Sequence, residues 1–150
     1  MYPLVLQPPL SNNGSQHEAN LLTFDQTLYY PKGGEWAGLA TTGYVYIPPP
    51  CFVSSCRLHV AFHGCGMAAV FPFMNTSYVL HGGYNPWAEA NNIVILYPQS
   101  GGFYERNETA PMAQLAAGCW DAYGQTGVSY AQREGPQMVA VRSMLKALGV

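Results

Sequence analysis

The alternation of hydrophobic and polar residues along the chain predicts four strands and two helices. Stretches rich in β-forming residues at 21–30 and 42–48, separated by a turn-prone segment, predict a pair of antiparallel edge strands. Stretches at 57–65, with His59 as a polar residue, and at 92–99 are largely apolar, as in strands that are covered on both faces. Between these two strands, a crossover helix is predicted to begin with Asn85 as its cap and Pro86 as its first residue.

The last apolar pattern predicts an amphipathic helix near the end of the chain. Four apolar residues at helical spacing are expected to cover the sheet: Met138, Val141, Leu145 and Leu148. The element order is then β-β-β-α-β-α, an α/β fold for which we expect a largely parallel core. Residues 1–20 hold few apolar anchors and predict an irregular lead-in or linker, which leaves 21–150 as the expected domain.

Composition and charge narrow the classes of function. Only 9% of the residues are charged and the net charge is −2, so the chain lacks the basic field that attracts nucleic acid. No apolar run has the length of a membrane span, and the first twenty residues lack the pattern of a signal peptide. We therefore expect neither a nucleic acid nor a membrane as partner. The four cysteines show no C-x-x-C spacing and favour two disulfides over a zinc site.

The third predicted strand ends in the motif His63-Gly64-Cys65-Gly66. Glycine-rich backbone at the carboxyl edge of a sheet lets main-chain N–H groups approach a substrate, which suits stabilisation of an oxyanion. The loop after the third strand of α/β-hydrolases has this role. Alternatively, the motif is a tight turn whose cysteine forms a disulfide. A nucleophilic Cys65 with His63 or His81 as base is disfavoured, because a disulfide would leave no thiol.

Two later segments carry further candidate residues. The sequence Pro98-Gln99-Ser100-Gly101-Gly102 imitates the G-x-S-x-G nucleophile elbow, but proline replaces the first glycine and no helical pattern follows. Ser100 is therefore interpreted as part of a flexible loop. Trp120 is interpreted either as the wall of an apolar cleft or as a ring packed over a disulfide. Asp121 has the position to orient a base but is more typical of a loop hydrogen-bonding residue.

Six segments together resemble the extracellular poly(3-hydroxybutyrate) depolymerases of the circularly permuted α/β-hydrolase type. In order along the chain they are FDQT at 24–27, TGYVYIP at 42–48, CRLHVAFHGC at 56–65, GYNPWAEANNIVILYPQ at 83–99, GCWD at 118–121 and GPQMVAVRSML at 135–145. The match runs from Leu22 to the end of the chain. The resemblance implies a partial α/β-hydrolase sheet from a secreted serine esterase that cleaves poly(3-hydroxybutyrate) or related short-chain polyesters.

The resemblance also implies roles for individual residues. The main-chain N–H of Cys65, next to Gly64, would be one oxyanion donor. The region of Trp120 would border the polymer-binding cleft, with Tyr123 as the next aromatic side chain. No metal and no cofactor is expected. From their spacing and from the expected nearness of two loops, we expect two disulfide pairs: Cys51–Cys56 and Cys65–Cys119.

The catalytic triad of that family has no counterpart in this sequence. Its nucleophile elbow, acidic residue and histidine lie in the amino-terminal half, upstream of the matched segment, and the 150 residues contain no G-x-S-x-G motif. We therefore expect a carboxy-terminal half that lacks the elbow and is inactive alone. Its expected partners are the polyester and a missing amino-terminal half carrying the triad. The alternative is a non-catalytic polymer- or carbohydrate-binding protein derived from the same fold.

Overall fold

The computed structural model describes residues 6–9, 18–31, 37–101 and 117–149, so most of the expected lead-in lies outside the described residues. The strands are β1 (Leu21–Asp25), β2 (Thr42–Tyr46), β3 (Arg57–Val60) and β4 (Ile93–Tyr97). The helices are α1 (Ser77–His81), α2 (Tyr84–Asn91) and α3 (Pro136–Ala147), with short 3₁₀ helices at Gln26–Tyr29 and Pro49–Phe52. No helix among the described residues is long and apolar enough to cross a membrane.

The strands form a mixed sheet in the order β1-β2-β4-β3. Strand β2 pairs antiparallel with both β1 and β4, whereas β3 and β4 are parallel. The α/β class is confirmed. The expectation of a largely parallel core is wrong for the described strands, because β2 does not lie at an edge. It is inserted beside β4 and brings its antiparallel direction into the middle of the sheet.

Strand β4 is covered on both faces, as its apolar sequence predicted. Successive side chains of a strand point to opposite faces, and the two faces contribute to two separate cores. One core lies on the side of α1 and α2 and contains Tyr46, Ala61, Val79, Ala88, Ile93, Ile95 and Tyr97. The other lies on the side of α3 and contains Ala37, Leu39, Leu96, Ala140 and Met144. The domain therefore has helices on both faces of the sheet.

The crossover between β3 and β4 contains two helices, and the second begins earlier than predicted. Gly83, with φ of +85°, is the residue before α2. Asn85 is not the cap but a buried residue within the first turn. Its Nδ2 donates to the Val79 carbonyl at 2.8 Å, and its Oδ1 accepts from the Tyr97 hydroxyl at 2.6 Å. Because buried polar groups need partners, Asn85 ties the crossover to β4.

The predicted terminal helix is confirmed as α3, but its buried face is only partly the predicted one: of the four predicted residues, Leu145 packs against the core. The buried residues in its middle are Gln137, Ala140 and Met144, whereas Met138 and Leu148 are exposed. The observed set has the same helical spacing one position earlier. Burial of the polar Gln137 is offset in part by a hydrogen bond, since its Oε1 accepts from the Asp121 N–H at 3.0 Å, whereas its buried Nε2 has no partner among the described residues.

Candidate functional site

The loops that follow β3 and β4 meet at one edge of the sheet. Because these two strands are parallel, their carboxyl ends point the same way. His63 lies three residues beyond β3, and Ser100 lies three residues beyond β4. The Ser100 N–H donates to His63 Nε2 at 3.0 Å. The glycine-rich motif therefore lies at the sheet edge where open α/β folds usually bind ligands.

His63 is a buried, fully hydrogen-bonded imidazole, with 2% of its surface exposed. Since Nε2 accepts a hydrogen bond from the Ser100 N–H, the ring's own proton is on Nδ1, which donates to the Gly64 carbonyl at 2.8 Å. Burial lowers the pKa of the ring, although the Gly64 hydrogen bond opposes the shift. The neutral ring has no nitrogen left to serve as a base for Cys65.

Residues 64–67 form a tight turn. The Met67 N–H donates to the Gly64 carbonyl at 3.1 Å, and Gly66 has φ of +71°. A positive φ at the third of four residues is the mark of a type II turn, which favours glycine there. Cys65 is the second residue of the turn, and its N–H has no hydrogen-bond acceptor among the described residues. Cys65 is an exposed residue, so the turn offers a main-chain donor that no described residue uses.

Both expected disulfides are present. Cys51–Cys56 has a Cα–Cα distance of 5.5 Å and lies just before β3. Cys65–Cys119 has a Cα–Cα distance of 4.2 Å and joins the turn at 64–67 to the segment containing Trp120. A nucleophilic Cys65 thiol is therefore ruled out in this structure. The described part of the chain contains no free cysteine.

Trp120 packs beside the turn rather than projecting alone. Its Nε1 donates to the His63 carbonyl at 2.9 Å, and its ring lies 5.3 Å from the His63 ring. Phe62 meets it edge to face at 4.9 Å and is 52% exposed. Tyr123, the other predicted substrate-binding residue, is 61% exposed. Trp120 and Phe62 therefore form an aromatic pair near the turn at 64–67, to which the Cys65–Cys119 disulfide joins the segment of Trp120.

Ser100 is not available as a nucleophile in this structure. Its side chain is fully buried. Its hydroxyl donates to the Gly118 carbonyl, and its N–H is engaged by His63. A serine nucleophile must present its hydroxyl to the substrate and to a base. Ser100 thus lies in a loop, as interpreted from the sequence, but its burial and its two hydrogen bonds fix it rather than leave it flexible.

Asp121 organises its own loop. Its Oδ1 accepts from the N–H groups of Tyr123, Gly124 and Gln125, at 2.8 to 3.1 Å. Its Oδ2 accepts from both the N–H and the hydroxyl of Thr126 at 2.7 Å. Burial acts to raise the pKa of the carboxyl, but the hydrogen bonds led by Thr126 outweigh it and lower the pKa. Both oxygens are thus engaged within the loop, which favours the loop interpretation over the orientation of a base.

Two buried glutamines brace the site and received no role from the sequence. Gln26 Nε2 donates to the carbonyls of Ala40 at 2.6 Å and Gln99 at 3.0 Å, while its Oε1 accepts from the Gln99 N–H at 2.9 Å. Gln99 Oε1 accepts from the Ala69 N–H at 2.8 Å, in the segment after the turn. The available signal was an uncharged polar residue inside a predicted strand stretch, since such a group needs partners when buried.

The candidate site consists of loops at the carboxyl edge of the sheet. Among the described residues, no group of three or more His, Cys, Asp or Glu is arranged to hold a metal ion. A cavity of about 120 Å³ lies between the sheet and α3, lined by Phe24, Tyr29, Val45, Leu96, Met144, Ala147 and Leu148. Its lining includes none of the predicted site residues, so the chemistry of the site depends on its loops.

The sequence is similar to those of two polyhydroxybutyrate depolymerases. No family model matches it. It is 35% identical over 137 residues to a poly(3-hydroxybutyrate) depolymerase of Delftia acidovorans, covering 89% of this chain and 24% of that protein. It is 33% identical over 142 residues to a polyhydroxybutyrate depolymerase of Talaromyces funiculosus, covering 92% of this chain and 40% of the relative. The chain thus spans less than half the length of these relatives.

Solved structures give the same relationship. The crystal structure of a PHB depolymerase from Penicillium funiculosum matches with a TM-score of 0.67 and 32% identity, over 84% of this chain and 39% of the other. A serine-to-alanine variant of a PHB depolymerase, complexed with an R3HB trimer, matches over the same shares with a TM-score of 0.69. At this identity and coverage, the neighbours share the α/β-hydrolase fold of this domain.

Proposed function

We propose that this chain, a homologue of the poly(3-hydroxybutyrate) depolymerases over part of their length, supplies the oxyanion-stabilising part of a secreted serine esterase. The substrate is poly(3-hydroxybutyrate) or a related short-chain polyester. The observation that carries the proposal is the Cys65 N–H, which lies on an exposed turn at the carboxyl edge of the sheet without an acceptor among the described residues. Two disulfides suit the oxidising environment of a secreted protein.

The Cys65 N–H has the properties of an oxyanion donor. When a nucleophile attacks an ester, the carbonyl oxygen gains negative charge, and a fixed N–H about 2.7–3.1 Å away stabilises it. The turn and the disulfide hold this N–H before the substrate arrives, so little reorganisation is needed. Gly64 has no side chain to obstruct the approach of the oxygen. One such donor is worth roughly a hundredfold to a thousandfold in rate.

The aromatic surface suits a polyester. Phe62, Trp120 and Tyr123 offer apolar area, and Phe62 and Tyr123 are 52% and 61% exposed. The repeating unit of such a polymer combines apolar carbon with ester carbonyls, so flat rings beside a main-chain donor match both features. One structural neighbour was solved with an R3HB trimer. We infer that the same trimer binds along this edge of the chain.

We infer that the nucleophile, base and acid come from outside these 150 residues. The sequence contains no G-x-S-x-G motif. Ser100 and His63 are both buried, and their polar atoms are engaged with other groups. Loss of a triad member usually removes several orders of magnitude of rate. An oxyanion donor alone therefore leaves the chain inactive or nearly so.

Esterase complementation tests this proposal. The purified chain should not turn over a short-chain p-nitrophenyl ester. Adding the separately expressed segment of the Talaromyces funiculosus relative that this chain does not match should restore turnover. Trp120→Ala should weaken the restored activity, whereas Phe52→Ala, an exposed aromatic outside the site, should leave it unchanged. Activity of the chain alone that a serine-directed phosphonate abolishes would contradict the proposal and reinstate Ser100.

The second candidate is a non-catalytic polymer- or carbohydrate-binding protein. The exposed aromatic surface without a triad favours it. It predicts that the chain is retained by polyester granules, that Trp120→Ala releases it and that Phe52→Ala does not. Retention without any complementation would select this function, and complementation would select the esterase.

A further inference from the structure

The peptide group that joins Gly64 to Cys65 is held by hydrogen bonds to its carbonyl oxygen. Its carbonyl oxygen accepts two hydrogen bonds, from His63 Nδ1 at 2.8 Å and from the Met67 N–H at 3.1 Å. His63 is buried, so this carbonyl is turned towards the interior. In a trans peptide the N–H points away from the carbonyl. The Cys65 N–H is therefore directed outwards, away from the His63 ring.

The His63 ring is itself fixed by contacts from three other segments. The Ser100 N–H, after β4, donates to Nε2 at 3.0 Å. The Trp120 ring, in the disulfide-bonded segment, lies 5.3 Å from the imidazole. The Tyr78 ring, from α1, lies 6.2 Å from the imidazole. The position of the ring thus depends on the assembled fold and not on the local turn alone.

We propose that His63 is a positioning residue for the oxyanion donor: its Nδ1–H holds the Gly64–Cys65 peptide in the orientation that directs the Cys65 N–H at a substrate oxygen. The inference rests on the proposed function for its chemical meaning. The turn alone supplies only the Met67 contact to the Gly64 carbonyl. The second hydrogen bond, from the buried His63 ring, ties the same carbonyl to the interior and so restricts the Gly64–Cys65 peptide further.

The first test needs no variant. In the uniformly ¹⁵N-labelled chain, the ring nitrogen shifts of His63 report which nitrogen carries the proton. The proposal requires the Nδ1–H tautomer at neutral pH, because only that form donates to Gly64 while accepting from Ser100. A ring protonated on Nε2 instead would overturn it.

Two substitutions separate the functions of the two nitrogens. In His63→Asn the amide group stands near Nδ1 and can still donate to Gly64, whereas in His63→Gln it stands near Nε2 and can bond only Ser100. We expect the backbone order parameter of Cys65 to be about 0.85 in the native chain and in His63→Asn. In His63→Gln it should fall to about 0.6. Equal values in the two variants would overturn the proposal.

A ligand distinguishes failure of this inference from failure of the proposed function. An R3HB trimer should shift the Cys65 amide resonance in the native chain and in His63→Asn, and this shift should be lost in His63→Gln. If the native amide does not respond, the oxyanion role fails, while the tautomer and order parameters still decide whether His63 holds the peptide. If His63→Gln responds like the native chain, His63 is not the positioning residue.

Discussion

The two disulfides of this domain lie at opposite ends of β3 and differ in what they hold together. Cys51–Cys56 joins residues five positions apart, in a loop that exposes Phe52 and Val53. Cys65–Cys119 joins residues 54 positions apart and fixes the turn at 64–67 beside Trp120. The first closes a loop whose ends the short chain already keeps near each other. The second maintains a contact that is entropically costly without it.

The largest expected effect tests this comparison directly. Replacing both cysteines of Cys65–Cys119 with alanine should lower the free energy of unfolding by about 4 kcal/mol, against about 2 kcal/mol for the same replacement of Cys51–Cys56, because closure entropy grows with the number of residues enclosed. Urea denaturation of the two double variants measures the difference. Equal losses would show that the longer connection is held by other contacts.

The next effect concerns packing at the carboxyl edge. Gly118 and Gly66 have φ of +67° and +71°, so alanine is strained by about 1–2 kcal/mol at either position. A Cβ at Gly118 would also lie 2.6 Å from the Phe71 ring, whereas one at Gly66 would meet no atom within 4 Å. Gly118→Ala should therefore destabilise by about 1–3 kcal/mol more than Gly66→Ala in urea denaturation. A smaller loss for Gly118→Ala would mean that the Phe71 ring moves aside without cost.

The smallest effect is a pH dependence confined to the carboxyl edge. Burial lowers the pKa of His63 in the folded chain, whereas the pKa of a histidine in an unfolded chain is about 6.5. As the pH falls below that value, the unfolded chain binds a proton that the folded chain does not, so the free energy of unfolding should decline. Urea denaturation between neutral pH and pH 5 should show this slope.

Two variants are the controls for that slope. His63→Asn, which does not titrate, should reduce it, and removal of Cys51–Cys56 should leave it unchanged, since residues 47–56 contain no histidine. The Asp121 carboxyl affects the free energy of unfolding at a lower pH than His63 does. Its pKa is lowered on folding, so its stabilisation is lost only as the pH falls through that lowered pKa. An unchanged slope in His63→Asn would assign the effect to another group.

The sequence predicted the elements well and their contacts less well. The strands, the helix of the crossover, the terminal helix and both cysteine pairs were anticipated. The buried face of α3 was anticipated only in part, because periodicity admits neighbouring sets of residues at the same spacing. His63 was considered only as a base, and Gln26 and Gln99 received no role, because a buried polar group is explained by partners that the sequence does not bring near.

By itself, the sequence determined the strands, the glycines that permit a tight turn at 64–67, the even set of cysteines and the absence of a G-x-S-x-G motif from these 150 residues. These features depend on residues that are near one another in the chain or on composition. Only the tertiary structure decided the position of β2 in the sheet, the tautomer of His63 and the outward direction of the Cys65 N–H. His63 is bonded to Ser100 and Trp120, which lie 37 and 57 positions away, and no local pattern specifies such a partner.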